Sequence, residues 1–259
     1  MNQEPYRKAP MQNMQWKSEP RFAGYVPDHV EICDIHGEFV LSLKNPKTGD
    51  RIYIRHSDLC PSCLRQREAN RLFISADVPM RFIDCSFENY ETETAEQKAV
   101  LNRCMKYASE FEKMRDSCTN LLLCGDIGTG KNHLATAILR RATELGYSAL
   151  RIKAQRYLDA YWGKNFDARE GWLKKLSAID LLWIDEIGRS SSSKSSQNVF
   201  FEIIDSRYES KCPTIVTTNY NREQLISEDM LGEAAYDRLT QGKSIRLTLK
   251  WESYRTKAS

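Results

Sequence analysis

No run of apolar residues in this chain approaches the ~18 that a membrane-crossing helix needs, which excludes a helical membrane protein. The opening residues, Met1-Asn2-Gln3-Glu4-Pro5, lack the apolar core of a signal peptide, so a cytoplasmic protein is expected. Charge of one sign is also scarce. Lys and Arg number 38 against 35 Asp and Glu, a net charge of +3. That is too little to announce nucleic-acid binding, and any basic surface must be local. Internal repeats are missing as well. In a reducing compartment the eight cysteines are no disulfide framework. Cys104, Cys118, Cys124 and Cys212 are scattered and read as small buried apolar residues.

What is present fits a soluble globular chain: 259 residues, 41% hydrophobic and 28% charged. The length allows one sizeable domain, or a small one and a medium one. Residues 1–30 are polar with prolines at positions 5, 10, 20 and 27, and read as a disordered tail or docking segment. Residues 38–43 and 51–54 read as two strands joined by the turn Asn45-Pro46-Lys47-Thr48-Gly49-Asp50, and 61–76 as a helix. Residues 77–118 form a linker and the start of the next domain, with a helix at about 94–115. From 119 to 259 the pattern changes. Apolar strands at 120–124, 148–153, 180–185 and 213–218 alternate with helices at 130–144, 154–162, 170–177 and 195–209. That alternation predicts an α/β domain, a parallel sheet covered by helices on both faces. The serine-rich run from Ser190 through Ser196 predicts a mobile loop.

One strand of this domain ends in Gly125-Asp126-Ile127-Gly128-Thr129-Gly130-Lys131-Asn132-His133, which fits G-x-x-x-x-G-K followed by Asn. Glycines let successive backbone N–H groups turn inward on phosphate oxygens, and Lys131 brings a charge to the outer phosphates. The helix that starts near Gly130 aims its N-terminal dipole at the same anion. The expected ligand is ATP with Mg²⁺. A hydroxyl usually follows the lysine and holds the metal. Asn132 offers a carboxamide oxygen instead, which predicts weaker metal binding or slow hydrolysis. A second strand ends in Asp185 and Glu186, at the sheet end where ligand sites of such folds lie. Asp185 is assigned to Mg²⁺ through water, and Glu186 to polarising the attacking water. A third strand ends in Asn219, which can sit between the two halves and sense the γ-phosphate, or else is a simple turn asparagine. Phe82, Phe87 and Tyr90 are candidates to flank the adenine, or else core aromatics.

These motifs resemble those of DnaC-type replicative helicase loaders, AAA+ ATPases in which asparagine also follows the P-loop lysine. The resemblance covers about residues 79–259. It rests on Cys85-Ser86-Phe87-Glu88-Asn89-Tyr90, Gly128 through Leu134, Leu181 through Gly188, Leu231-Gly232-Glu233 with Asp237-Arg238, and Trp251-Glu252-Ser253-Tyr254-Arg255. The related IstB-type transposition ATPases share much of it. The resemblance implies an AAA+ core that assembles with copies of itself, with Arg238 as an arginine finger given to a neighbour and Arg255 as a second sensor. It also departs at one point: Ala234 stands where the family has an arginine. The family binds single-stranded DNA. Residues 155–175 offer Gln155, Arg156, Tyr157, Tyr161, Trp162, Lys164, Asn165, Phe166 and Arg169 for that, although Tyr157, Leu158 and Tyr161 read equally well as core.

Upstream, Cys33-x-x-His36 and Cys60-x-x-Cys63 are two ligand pairs with 23 residues between them. Four such ligands suit a closed, structural Zn²⁺ site, with His56 as the alternative fourth ligand. A small zinc-ribbon-like domain over 31–76 resembles the N-terminal domain of DnaI-type loaders, which docks on the helicase. The expected function is therefore ATP-dependent loading of a DnaB-like replicative helicase hexamer onto single-stranded DNA. The alternative is an IstB-like ATPase that regulates a transposase on duplex DNA.

Overall fold

The structure, a computed structural model, describes residues 20–35, 37–54, 60–188, 194–227 and 230–257. It divides into two compact units, one up to Glu68 and one from Ala69. In the first, strands β1 (Val26–Cys33), β2 (Gly37–Lys44) and β3 (Arg51–Tyr53) form an antiparallel sheet in that order. The β2–β3 connection is tied by the Asn45 N–H donating to the Asp50 carbonyl at 2.8 Å. Phe22, Val40 and Leu43 make one small apolar cluster, and Phe39, Leu41 and Cys60 another, with Cys33 and Cys63 at its edge.

The expected tail over 1–30 therefore stops short of the sequence reading. A 3-10 turn at Pro20–Phe22 and then β1 lie inside it. Pro27 and the polar Asp28 and His29 disguise β1, and its register with β2 slips at His29, which breaks the alternation that betrays a strand. The division at Glu68 also precedes the boundary expected at 76. It falls within helix α1 (Pro61–Ser75), whose Phe73 joins the core of the second unit.

That second unit is built on a fully parallel five-stranded sheet: β4 (Asn120–Gly125), β5 (Ala149–Lys153), β6 (Leu181–Asp185), β7 (Thr214–Thr218) and β8 (Ser244–Leu249), in the order β5-β6-β7-β4-β8. Every residue of β4, β6 and β7 is buried, the mark of a sheet covered on both sides. Alternate residues of β4 feed separate cores. Leu121 and Leu123 pack with helices α2 (Ala95–Ser109), α3 (Phe111–Asp116) and α4 (Lys131–Glu144). Leu122 and Cys124 pack with α5 (Ala154–Trp162), α6 (Phe166–Ser177), α7 (Lys194–Glu209) and α9 (Glu233–Thr240). A one-turn helix α8 (Arg222–Leu225) precedes α9, and α10 (Tyr254–Lys257) ends the described chain.

Caps set several boundaries. Thr94 and Gln97 form a reciprocal capping box that starts α2, and the Asn165 carboxamide accepts from the Ala168 N–H, which starts α6 earlier than the expected residue 170. The helix expected at 94–115 breaks at Glu110 into α2 and α3. Of the serine-rich run, residues 190–193 lie outside the described residues, while Ser195 and Ser196 belong to the first turn of α7. Because β7 lies between β4 and β6, the carboxyl ends of these three strands sit side by side. Among the described residues, no helix is long and apolar enough to cross a membrane.

Candidate nucleotide-binding site

The carboxyl ends of β4, β6 and β7 line a cavity of about 320 Å³, within the range of small-molecule sites. Its wall holds Ile127, Gly128 and Gly130 from the loop after β4 and Lys131, Asn132 and His133 from the first turn of α4. Asp185 ends β6, Glu186 follows it, and Asn219 follows β7. Gly125, Asp126 and Thr129 complete the loop outside that wall. The lining also includes Arg81, Phe82, Asn89, Tyr90 and Tyr254. Of the three aromatics considered for the adenine, Phe82 and Tyr90 line the cavity; Tyr90 is also a buried member of the core, and Phe87 packs against that core.

Gly130 caps α4 with φ +91° and no side-chain partner, so the first turn of α4 presents its N–H groups to the cavity. A Cβ at Gly130 would come within 2.6 Å of the Tyr90 ring, so glycine is demanded by space as well as by φ. The Lys131 ammonium donates to the carbonyls of Gly125 and Asp126, both at 2.7 Å, and thereby braces the loop. The His133 ring turns the other way. Its Nε2 lies 2.8 Å from the Ser86 carbonyl and 2.9 Å from Asn89 Oδ1, with the ring edge-on to Tyr90. Burial pushes its pKa down, and the Ser86 carbonyl offsets part of that.

Asp185 is completely buried. Its Oδ1 accepts from the Thr217 hydroxyl at 2.6 Å, and Oδ2 accepts from Arg151 Nη2 at 2.5 Å and Asn132 Nδ2 at 3.3 Å. Asn132 thus sits where the missing hydroxyl would, against the acid at the end of β6. Glu186 adopts a left-handed backbone at φ +62°, which costs on the order of 1–3 kcal/mol for a residue with a side chain. Its N–H donates to the Thr217 hydroxyl at 3.3 Å, and its carboxylate pairs with Lys153 at 3.3 Å. Thr217 is the hub, because its hydroxyl also accepts from Trp183 Nε1 at 3.0 Å.

Sequence reasoning missed Thr217, Arg151 and Lys153. A cation two residues after another in the short strand Ala-Leu-Arg-Ile-Lys was the available signal. It also missed how the chain end closes on the loop. Trp251 Nε1 and the Tyr90 hydroxyl both donate to the Thr129 carbonyl, at 3.1 and 3.2 Å, and the Tyr254 N–H donates to the Gly128 carbonyl at 3.0 Å. The Tyr254 hydroxyl reaches the Glu91 carbonyl at 2.5 Å. The Arg255 side chain lies outside what is described. Arg238 is on α9 and lines no part of the cavity. It pairs with Asp205 at 2.6 Å and lies over the Tyr208 ring.

Residues 64–259 match the family described as IstB-like ATP binding protein. The replicative helicase loader DnaC of Escherichia coli (strain K12) is 34% identical over 198 residues, which span 75% of this chain and 79% of that protein. The chain belongs to the DnaC helicase-loader family. DnaC of Buchnera aphidicola subsp. Baizongia pistaciae is 36% identical over 180 residues, 68% of this chain and 71% of that one. The crystal structure of the DnaC helicase loader shares the fold, with a TM-score of 0.57 at 24% identity over 66% of this chain and 100% of that chain. The crystal structure of DnaI gives 0.54 at 19% identity over 69% and 97%. The parallel sheet with its P-loop is the ATP-binding AAA+ core of the DnaC family, and the chain is an AAA+ ATPase.

Outside the family match, Cys33, Cys60 and Cys63 converge, with their sulfur atoms all within 4.8 Å of one another. The Cys63 N–H donates to Cys60 Sγ at 3.3 Å, and the Cys33 and Cys63 sulfurs are 3.7 Å apart. Hydrogen bonding with Cys60, then burial and Cys33, raises the Cys63 thiol to about 11. Three thiols crowded this way suit a thiophilic cation that replaces their protons. His36 and His56, the two candidates for a fourth ligand, lie outside the described residues.

In the α5–α6 segment the core reading holds for Tyr157, which is buried and stacked on Trp172 and Phe200. Trp162 and Phe166 are 52% and 75% exposed, and Arg169 lies over the Tyr161 ring at 4.2 Å.

Proposed function

We propose that this chain loads a DnaB-like replicative helicase hexamer onto single-stranded DNA, with ATP as the switch. The observation that carries this reading is the pairing of a P-loop closed by Asn132 with 34% identity to DnaC over three quarters of the chain. Lys131 and the N–H groups of α4 bind the phosphates, with Gly125 through Gly130 as the cradle. Asn132, and Asp185 through water, would hold Mg²⁺, which would supply further positive charge to the phosphate oxygens. Glu186 orients and polarises the attacking water, while Asn219 and Arg255 register the γ-phosphate. Arg238 leaves Asp205 to complete a neighbour's site, so that ATP holds copies of this chain together and hydrolysis releases them.

Cys33, Cys60 and Cys63, with His36 or His56 as fourth ligand, hold Zn²⁺ and stabilise an N-terminal unit that docks on the helicase. Trp162 and Phe166 stack bases, and Lys164 and Arg169 meet the phosphates. The second reading, an IstB-like ATPase regulating a transposase on duplex DNA, has less support, because curated relatives are named as helicase loaders.

The test is a pull-down with the host's replicative helicase, comparing the intact chain with a Cys60→Ser, Cys63→Ser variant and measuring zinc in both. Zinc at about one per chain with helicase capture, both lost in the variant, is the expected result. A zinc-loaded intact chain that ignores the helicase and captures a transposase overturns the reading.

A further inference from the structure

Strand β5 carries two cations at alternate positions, on one face, and each meets one carboxylate of the neighbouring strand end. Arg151 pairs with Asp185 and Lys153 with Glu186. The register explains the reach. Arg151 lies opposite Trp183 and Lys153 opposite Asp185, so each side chain leans forward along the strand to the acid beyond. The inner pair is the unusual one. The Arg151 side chain is 3% exposed and Asp185 is wholly buried, and the guanidinium lies over the Trp183 ring at 5.2 Å.

Arg151 grips a single oxygen of Asp185, through Nη2 at 2.5 Å and Nε at 3.2 Å, and Asn132 Nδ2 donates to that same atom. Three donors saturate the lone pairs of Oδ2. The other oxygen accepts from Thr217. Among the described residues Oδ1 has Thr217 as its one donor and so keeps a single lone pair for a metal-bound water, and a metal dication gains little from a carboxylate whose charge an adjacent guanidinium already offsets.

We infer that Arg151 is a resident counter-cation at the acid end of β6, which takes over part of the charge balance expected of Mg²⁺ and makes ATP binding only weakly dependent on the metal. Arg151 is here a positioning residue: it acts through Asp185. The inference rests on the reading of this cavity as the ATP site.

The experiment measures the affinity of the full chain for an ATP analogue with a fluorescent ribose label, in EDTA and in saturating Mg²⁺. It uses the wild type, Arg151→Leu and Arg151→Lys, with a thermal melt of each. The wild type is expected to lose less than about tenfold in affinity without Mg²⁺. In Arg151→Leu the Mg²⁺-dependence should rise a further ~tenfold or more, because Asp185 is left as an uncompensated buried charge. Arg151→Lys, which keeps the charge, should stay within about threefold of the wild type. A merely structural ion pair would lower the melting temperature of the leucine variant and leave this ratio unchanged, and that result overturns the inference alone. A wild-type dependence above about a hundredfold overturns it too, even where the leucine variant does not fold. Failure of the wild type to bind the nucleotide under either condition overturns it together with the ATP-site reading.

Discussion

Replacing Thr217 by valine keeps the shape of the side chain and deletes one hydroxyl. That hydroxyl donates to Asp185, accepts from the Trp183 indole at 3.0 Å and accepts from the Glu186 N–H at 3.3 Å. Thr217, Trp183 and Asp185 are all at most 1% exposed, so water cannot take its place. Valine fills the same volume, and no cavity term arises. The indole N–H loses its acceptor and the buried carboxylate loses a donor, each worth about 1–3 kcal/mol. A net loss of about 3–4 kcal/mol is expected, which in a unit of this size lowers Tm by roughly 6–16 °C. The control is Thr217→Ser, which keeps the hydroxyl and gives up one methyl group, about 0.8 kcal/mol. Circular-dichroism melts and urea titrations of the three proteins decide the matter. If valine costs no more than serine, the hydroxyl is not the hub of the site and the account of how Asp185 and Glu186 are held is wrong.

Two further outcomes follow from the geometry. In Gly130→Ala the added methyl meets the Tyr90 ring in a left-handed backbone that costs an alanine about 1–2 kcal/mol, so ATP affinity should fall by about tenfold or more in a titration by isothermal calorimetry. His133, held neutral by burial, stabilises the fold fully above its ordinary pKa of 6.5 and progressively less as pH falls from there towards its lowered folded value, since the unfolded chain takes the proton first. Denaturant midpoints between pH 7.5 and 5.5 should decline in the wild type and flatten in His133→Gln; equal slopes would remove His133 as the cause.

Two central strands of the sheet were legible because they are pure. Leu121 through Cys124 and Leu181 through Ile184 are apolar without interruption, and each is followed by a motif whose chemistry has no other common use. The last strand was not. Ser244 through Leu249 contains Arg246 and Thr248, both exposed, and as the sheet's outer strand it buries only Leu247 and Leu249. Its place beside β4 is set by pairing across the fold, which no local pattern carries. The phosphate loop and the two acids were legible as types and spacings. What holds them was not, because Arg151, Thr217 and Trp251 act through contacts between distant segments. In the first unit the paired cysteines signalled a metal, while the bulge at His29 hid the strand that supplies Cys33.

Strand β8 has a further consequence, in time rather than in space. The Asp126 N–H of the phosphate loop donates to the Leu249 carbonyl, and β4 is flanked by β7 and β8, both made long after it. At a synthesis rate of about 5–20 residues per second, roughly 6–25 s separate the translation of Gly125 from that of Leu249. Throughout that interval the nascent chain carries its whole phosphate loop but lacks the strand that fixes it. ATP capture is thereby reserved for a chain already made through β8, and a ribosome stalled before β8 would release a fragment with its phosphate loop and the acids at the end of β6 but no finished site.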